Sequence, residues 1–207
     1  MESEGNNLKL EHKGWYTRGY LPHYDSSNVI QVITYRLVDS LPKKVVDEIE
    51  LELRINPSNK NIKLDRFLDK GYGECYLRQP QIAEIVEAGF KYFHESRYRL
   101  IAWVVMPNHV HVIVEPYGNF QIGTIVHSWK SYTANVCNKV IGKKGAFWFP
   151  DFWDRYIRNT DHFYGAIEYI HLNPVKAGLA KNPEDWLFSS ARFYAKNHDS
   201  DGILKFT

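Results

Sequence analysis

Apolar residues recur along this 207-residue chain at two spacings, which predict strands and helices in turn. Val29 to Leu37, VIQVITYRL, is rich in β-branched residues and partly alternating, so it predicts a first strand. Asp39-Ser40-Leu41-Pro42 supplies a capping residue and a first-turn proline, and VVDEIELELRI continues as a helix. Asn56 to Lys63 is a polar loop broken by Pro57, and Leu64 to Asp69 reads as a short helix that Gly71-Tyr72-Gly73 ends. Gln79 to Glu95 predicts a longer helix, with Ile82, Ile85, Val86, Phe90 and Phe93 on or near one face. Tyr98–Val105 and His109–Glu115 are apolar runs joined by Met106-Pro107-Asn108, which predicts a hairpin.

Phe120 to Val140 repeats apolar residues at helical spacing, and Gly142-Lys143-Lys144-Gly145 ends it. An aromatic cluster, Phe147 to Trp153, leads into a short fourth strand over Arg155-Tyr156-Ile157-Arg158. Asn159 or Thr160 caps a helix expected from Asp161 to about Leu172, with Asn173-Pro174 as its stop. Asp185 to Ser190 begins a closing helix. GWYTRGYLPHY, residues 14–24, reads as an irregular arm whose rings anchor it to the domain. Residues 1–13 read as a mobile leader and 197–207 as a polar tail.

This order is that of an α+β, ferredoxin-like (RRM-like) βαββαβ fold: an antiparallel sheet with helices packed on it and one helix added after the last strand. No repeat or linker divides the chain, so 1–207 is expected to be a single domain. Its 44% hydrophobic and 24% charged residues suit a soluble globular protein. A net charge of +2 neither demands nor excludes nucleic acid. Cys75 and Cys137 are the only cysteines, too few for a disulfide framework or a C-x-x-C zinc site. With no signal-like or membrane-spanning run, the expected location is the cytoplasm, with no membrane partner.

Candidate chemistry starts at His109-Val110-His111. In a strand, residues two apart share a face, so both imidazoles point one way and Val110, Val112 and Val114 the other. The pair could share one metal ion, or be half-buried polar residues satisfied by neighbours. Tyr169 and Asn173 are four apart and share a helical face. A phenol with a pKa of about 10 is a poor nucleophile at neutral pH. It can attack a phosphodiester when a cation draws charge off the phosphate. The two histidines and a nearby amide oxygen would suit Mg²⁺ or Mn²⁺, the imidazoles leaning toward Mn²⁺ or a softer ion.

PNHVHVIV, together with the later YIHLNPVKAGL, resembles the REP-associated tyrosine transposases, single-tyrosine members of the HUH endonuclease superfamily. The resemblance runs from GWYTRGYLPHY and VITYRLVDSLP through AWVVMPNHVHVIVEP and FWDRYIRN to DWLFSSARFY. It implies a ferredoxin-like fold and cleavage of single-stranded DNA at or near hairpins of repetitive extragenic palindromes. Tyr169 would form a 5′-phosphotyrosine while a 3′-hydroxyl departs. His109 and His111 would hold the divalent metal, and Asn173 matches the third-ligand position. The superfamily it resembles includes both monomers and homodimers.

Arg155, Arg158, Lys176 and Lys130 lie in segments around the tyrosine helix, with Trp153 among the rings between them. Basic groups neutralise phosphates and rings stack unpaired bases, so these are the candidate DNA contacts. Arg155 and Arg158 are an odd number apart, so at most one faces the site from a regular strand. A non-catalytic nucleic-acid-binding module on the same sheet is the alternative, and a hydrolase activating water at the histidines is a third reading.

Overall fold

The computed structural model describes residues 12–18, 21–55 and 67–196. The predicted leader, the Asn56–Lys63 loop, most of the predicted Leu64–Asp69 helix and the polar tail lie wholly or mainly outside them. The described elements are β1 (Gly14–Arg18), β2 (Leu21–Asp25), β3 (Gln31–Arg36), α1 (Lys43–Ile55), α2 (Pro80–Lys91), β4 (Tyr98–Val105), β5 (His109–Pro116), α3 (Ile122–Ile141), β6 (Trp153–Tyr156), α4 (Thr160–Lys176) and α5 (Ala191–Lys196).

Strand β5 is apolar on one face and carries the histidines on the other, so both faces must be covered. The sheet places it second in the order β4-β5-β3-β6, with every pairing antiparallel. On one face Val110, Val112 and Val114 join Ile33 and Tyr35 of β3 and Trp103 of β4. Helices α2 and α3 close this layer with Ile82, Val86, Phe90, Ile125, Val126 and Trp129. Two of its buried polar tips are paired: Trp129 Nε1 donates to Tyr98 Oη (2.7 Å) and Trp103 Nε1 to Glu87 Oε1 (2.8 Å). On the other face Ile101, Ala102, Val104, Met106 and Ile113 receive Ile167 and Ile170 of α4. A bulge between Leu100 and Ala102 shifts the β4 register, and Ile101 and Ala102 both join this second cluster. The outcome is the expected α+β sheet with an added tyrosine helix.

The outer edge of β4 is covered by a non-strand segment. Val105 N donates to Phe188 O and Ser190 N to Trp103 O, each at 2.9 Å, while Trp103 N donates to Ser190 Oγ at 3.0 Å. DWLFSS therefore lines a sheet edge, and the helix expected to begin there is a single 3₁₀ turn at Pro183–Asp185 followed by α5.

Three further expectations change. Residues 14–18 and 21–25 form two paired antiparallel strands, β1 and β2, rather than an irregular arm. Its alternation was hidden because the inward positions of β2 are Leu21, His23 and Asp25, two of them polar. The fourth strand is Trp153–Tyr156, two residues earlier than expected, with Trp153 opposite Thr34. Helix α4 runs through Pro174 to Lys176 instead of stopping before it. Proline removes only its own N–H from the ladder, and Ala177 N to Asn173 O and Leu179 N to Pro174 O close the end beyond it. Asn159 does cap this helix, accepting from His162 N at 2.9 Å.

His23 latches the hairpin to the sheet. It is wholly buried, with Nδ1 on Asp154 and Nε2 3.2 Å from Asp151 Oδ1. Asp154 Oδ2 also accepts from Tyr24 N, and Asp25 Oδ1 accepts from Ile122 N at the start of α3. Burial opposes the imidazolium, but the hydrogen bonds and charges of the two carboxylates outweigh it and raise the His23 pKa to about 9. A histidine raised in the folded state stabilises fully below its unfolded pKa of about 6.5, and that contribution is lost as pH rises through the folded value. Urea unfolding is expected to show stability falling by up to about 3 kcal/mol from this source as the pH climbs from about 6.5 to about 9. His23→Gln should be less stable at pH 6 to 7 and lack that part of the decline; a profile parallel to the parent chain's would refute the assignment.

Candidate active site

The two histidines are buried at 0% and 1% exposure, and each is held by a hydrogen bond through its Nδ1. Asn108 sets His109. Its Nδ2 donates to the carbonyls of Leu68 and Tyr72, both at 3.1 Å, which leaves its Oδ1 to accept from His109 Nδ1 at 2.7 Å. The His109 proton therefore sits on Nδ1, and Nε2 presents a lone pair with no hydrogen-bond partner. Burial, and then the neighbouring His111, lower its pKa well below the ordinary value, so the ring is neutral.

His111 lies directly opposite Thr34 across the β3–β5 ladder and is hydrogen-bonded through Nδ1 to Thr34 Oγ1 at 2.7 Å. Its Nε2 accepts from Asn173 Nδ2 of α4 at 3.2 Å. The two imidazole rings stand 4.9 Å apart and nearly perpendicular. Arg36, opposite His109 in the same ladder, is buried; its guanidinium lies 3.7 Å from the Phe149 ring centre and donates to Leu37 O and Ser40 Oγ. A permanent positive charge thus sits one strand away from the pair.

Helix α4 crosses the histidine face, not the valine face. Ile167 and Ile170 seat it, and one turn carries both Tyr169 and Asn173 toward the histidines. The Tyr169 and His111 rings are 5.9 Å apart and nearly perpendicular, and Lys176 Nζ lies 5.2 Å from the centre of the Tyr169 ring. Asn173 is 2% exposed, and its Oδ1 is buried with no hydrogen-bond partner. His171 of the same helix points elsewhere, to Ser190 Oγ at 2.8 Å.

These atoms fit a divalent cation. His109 Nε2 and Asn173 Oδ1 are two buried acceptors without donors, and His111 Nε2 lies against the same amide. Burying such atoms unsatisfied is costly, and a cation offsets that cost. Among the described residues no three His, Cys, Asp or Glu side chains gather as a metal-holding group. An ion here would need the amide oxygen of Asn173, with water or phosphate, beside the two imidazoles.

The candidate DNA contacts are placed unequally. Arg155 is exposed and pairs with Val32 in the ladder, two residues from Thr34, so it shares the histidine face. Arg158 lies beyond the strand end, its guanidinium 5.9 Å from the Tyr156 ring centre. Both are close enough to His162 to help lower its pKa, after burial. Lys176 is exposed beside Tyr169. Trp153, in contrast, is 7% exposed and packed with Leu21, Leu41 and Leu68, so no base can stack on it without displacing that cluster. Lys130 Nζ donates to the carbonyls of Phe149 and Pro150, each at 2.7 Å, and so ties down that loop. Sequence reasoning missed Asn108, Thr34 and Arg36; the one available signal was Asn108 immediately before the histidine pair.

A family model described as IS200-like transposase matches residues 75–162, which include both histidines and end before Tyr169. Over 115 residues the chain is 36% identical to the REP-associated tyrosine transposase of Escherichia coli K12, covering 55% of this chain and 67% of that one. The fold is similar to a solved REP-associated tyrosine transposase bound to a REP hairpin, with a TM-score of 0.57 at 22% identity, over 93% of this chain and 98% of that one. The chain belongs to the REP-associated tyrosine transposases.

The Asn108 side chain makes three hydrogen bonds, two of them buried. Asn108→Ala is expected to lower unfolding stability by about 2–4 kcal/mol. Denaturant titration measures this, and a loss below about 0.5 kcal/mol would mean the Asn108 amide is not the clamp described.

Proposed function

We propose that this chain cleaves and rejoins single-stranded DNA at or near REP-type hairpins, with Tyr169 as the nucleophile. The observation that carries the reading is the meeting of Tyr169 with His111 across a face holding two buried, unpartnered ligand atoms. The Tyr169 phenol oxygen attacks the scissile phosphorus. The bond from phosphorus to the 3′ oxygen breaks as the bond to tyrosine forms. The phenol loses a proton and the departing 3′ oxygen gains one. The 5′-phosphotyrosine keeps the energy of a phosphodiester, so rejoining needs no nucleotide cofactor.

His109 and His111, with the Asn173 oxygen, would hold Mg²⁺ or Mn²⁺, which supplies charge neutralisation at the phosphate. The buried His109 is fixed as a neutral ligand by Asn108, and Thr34 orients His111. Lys176, beside the Tyr169 ring, would attract the incoming phosphate. Arg155, on the histidine face, and Arg158 are the candidate phosphate contacts along the DNA path. The nucleophile and the imidazoles meet within one chain, so one copy supplies every group named. The solved relative bound to a REP hairpin supports hairpin DNA as the substrate class.

The test is incubation with a single-stranded hairpin oligonucleotide and Mn²⁺, followed by denaturing electrophoresis. A covalent protein–DNA band should form and fall at least about a thousandfold in Tyr169→Phe, while hairpin affinity changes little. Cleavage retained in Tyr169→Phe would point to water as the nucleophile, and hairpin binding with neither adduct nor cleavage in the parent chain to a binding module. Arg155→Ala should weaken hairpin binding and reduce the slope of log affinity against log salt by about one. An unchanged slope would remove Arg155 from the phosphate path.

A further inference from the structure

The paired strands β1 and β2 divide their side chains between two faces. Directly opposed residues of an antiparallel pair share a face, so Tyr16 and His23 point one way and Trp15 and Tyr24 the other. The inward set is spent on the fold: His23 is held by Asp151 and Asp154, and the Tyr16 ring lies 5.3 Å from its imidazole. The outward set is different. Trp15 is 63% exposed, although its indole is among the largest apolar surfaces a chain can bury.

Three rings meet on the outward face. Trp15 stands 5.1 Å from Tyr24 and 6.1 Å from Tyr156 of β6, and Tyr24 stands 5.1 Å from Tyr156. These contacts hold the indole in place while most of it stays in solvent. Cations border the rings. The Arg158 guanidinium lies 5.9 Å from the Tyr156 ring centre, and Arg155, next to Tyr156 in the chain, is exposed. Asp154 of the same strand is turned inward, onto His23 and Tyr24 N. Asp161, exposed in the first turn of α4, leaves the two arginines in excess. An open ring beside guanidinium groups suits single-stranded nucleic acid, whose bases stack and whose phosphates pair. A duplex has no unpaired base to offer the indole along its length.

The position suits a strand that leaves the site. Tyr156 pairs with Gln31, three residues along β3 from Thr34, the partner of His111, which is about 10 Å of strand. Strand β6 is the sheet edge, Arg155 faces the histidine side and Arg158 lies past the strand end. The cations thus mark a way round the edge from the histidines to the rings. We propose that Trp15, backed by Tyr24 and Tyr156, is a stacking platform for unpaired bases of the DNA strand flanking the hairpin. The inference rests on the DNA reading above and assigns a place to the single-stranded part of that substrate.

The test is fluorescence anisotropy of the full chain with two labelled oligonucleotides: a blunt hairpin, and the same hairpin with single-stranded extensions of mixed sequence at both ends. The extensions should tighten binding to the parent chain. Trp15→Ala should weaken binding of the extended hairpin about five- to hundredfold and change that of the blunt hairpin less than about twofold. Trp15→Phe should keep most of the affinity, and Trp15→Leu should lose it as alanine does. That contrast decides the matter even if alanine loosens the strand pair, because leucine keeps apolar packing without a π-face. Parental affinity for the extended hairpin in both Trp15→Ala and Trp15→Leu would overturn the platform, as would equal loss on the two oligonucleotides. A dimer seen by sedimentation that Trp15→Ala dissociates, with DNA affinity unchanged, would overturn it in favour of a second copy. Failure of the parent chain to bind either oligonucleotide would overturn the DNA reading itself, and this proposal with it.

Discussion

Two imidazoles buried side by side need hydrogen-bond partners, and the way three of their four nitrogens obtain one shapes most of the site. Desolvation alone penalises an unmatched polar atom by kilocalories. The protein meets the demand from three directions: Asn108 from the preceding turn, Thr34 from the neighbouring strand and Asn173 from the helix above. Each of these also ties an element to β5. The polar network and the alignment of the elements are therefore one construction. Two of the buried atoms left without a hydrogen-bond partner, His109 Nε2 and Asn173 Oδ1, belong to this face of the sheet and the helix above it.

One strand separates the core from the chemistry. The valines of β5 pack on α2 and α3, while the histidines look toward α4. Tyr169 is thereby carried by a helix whose apolar side, Ile167 and Ile170, is anchored on the same sheet face as the site. Pro174 sits inside this helix without ending it, so Asn173 remains in helical register with Tyr169. A helix stopping before Pro174 would have released the amide from its hold on His111.

The local parts of this arrangement were legible in the sequence. The β4–β5 hairpin, the shared face of His109 and His111, and the four-residue step from Tyr169 to Asn173 all follow from backbone periodicity. Other parts were not legible, because they depend on contacts far apart in the chain. Asn108 reads as a turn residue until its carbonyl partners are known. The β1–β2 hairpin escaped because His23 and Asp25 point inward, where an alternation argument expects apolar groups. Trp153 and Lys130 had the residue types of DNA contacts but are spent on packing and on loop carbonyls.

The covering of β4 by Phe188–Ser190 has a bearing on solubility. YRLIAWVV is a long, β-prone, nearly uncharged edge strand, the kind of segment that recruits a like strand from another molecule. Here its backbone donors and acceptors are already engaged by a piece of the same chain that is too irregular to be extended into a further strand. At the opposite edge, four-residue β6 is too short to template much pairing, and the latched β1–β2 hairpin stands beside it. Both margins of the sheet are thus guarded against polymerisation. A truncation that removed the chain after Leu187 would uncover this edge of β4 and turn the protein toward aggregation.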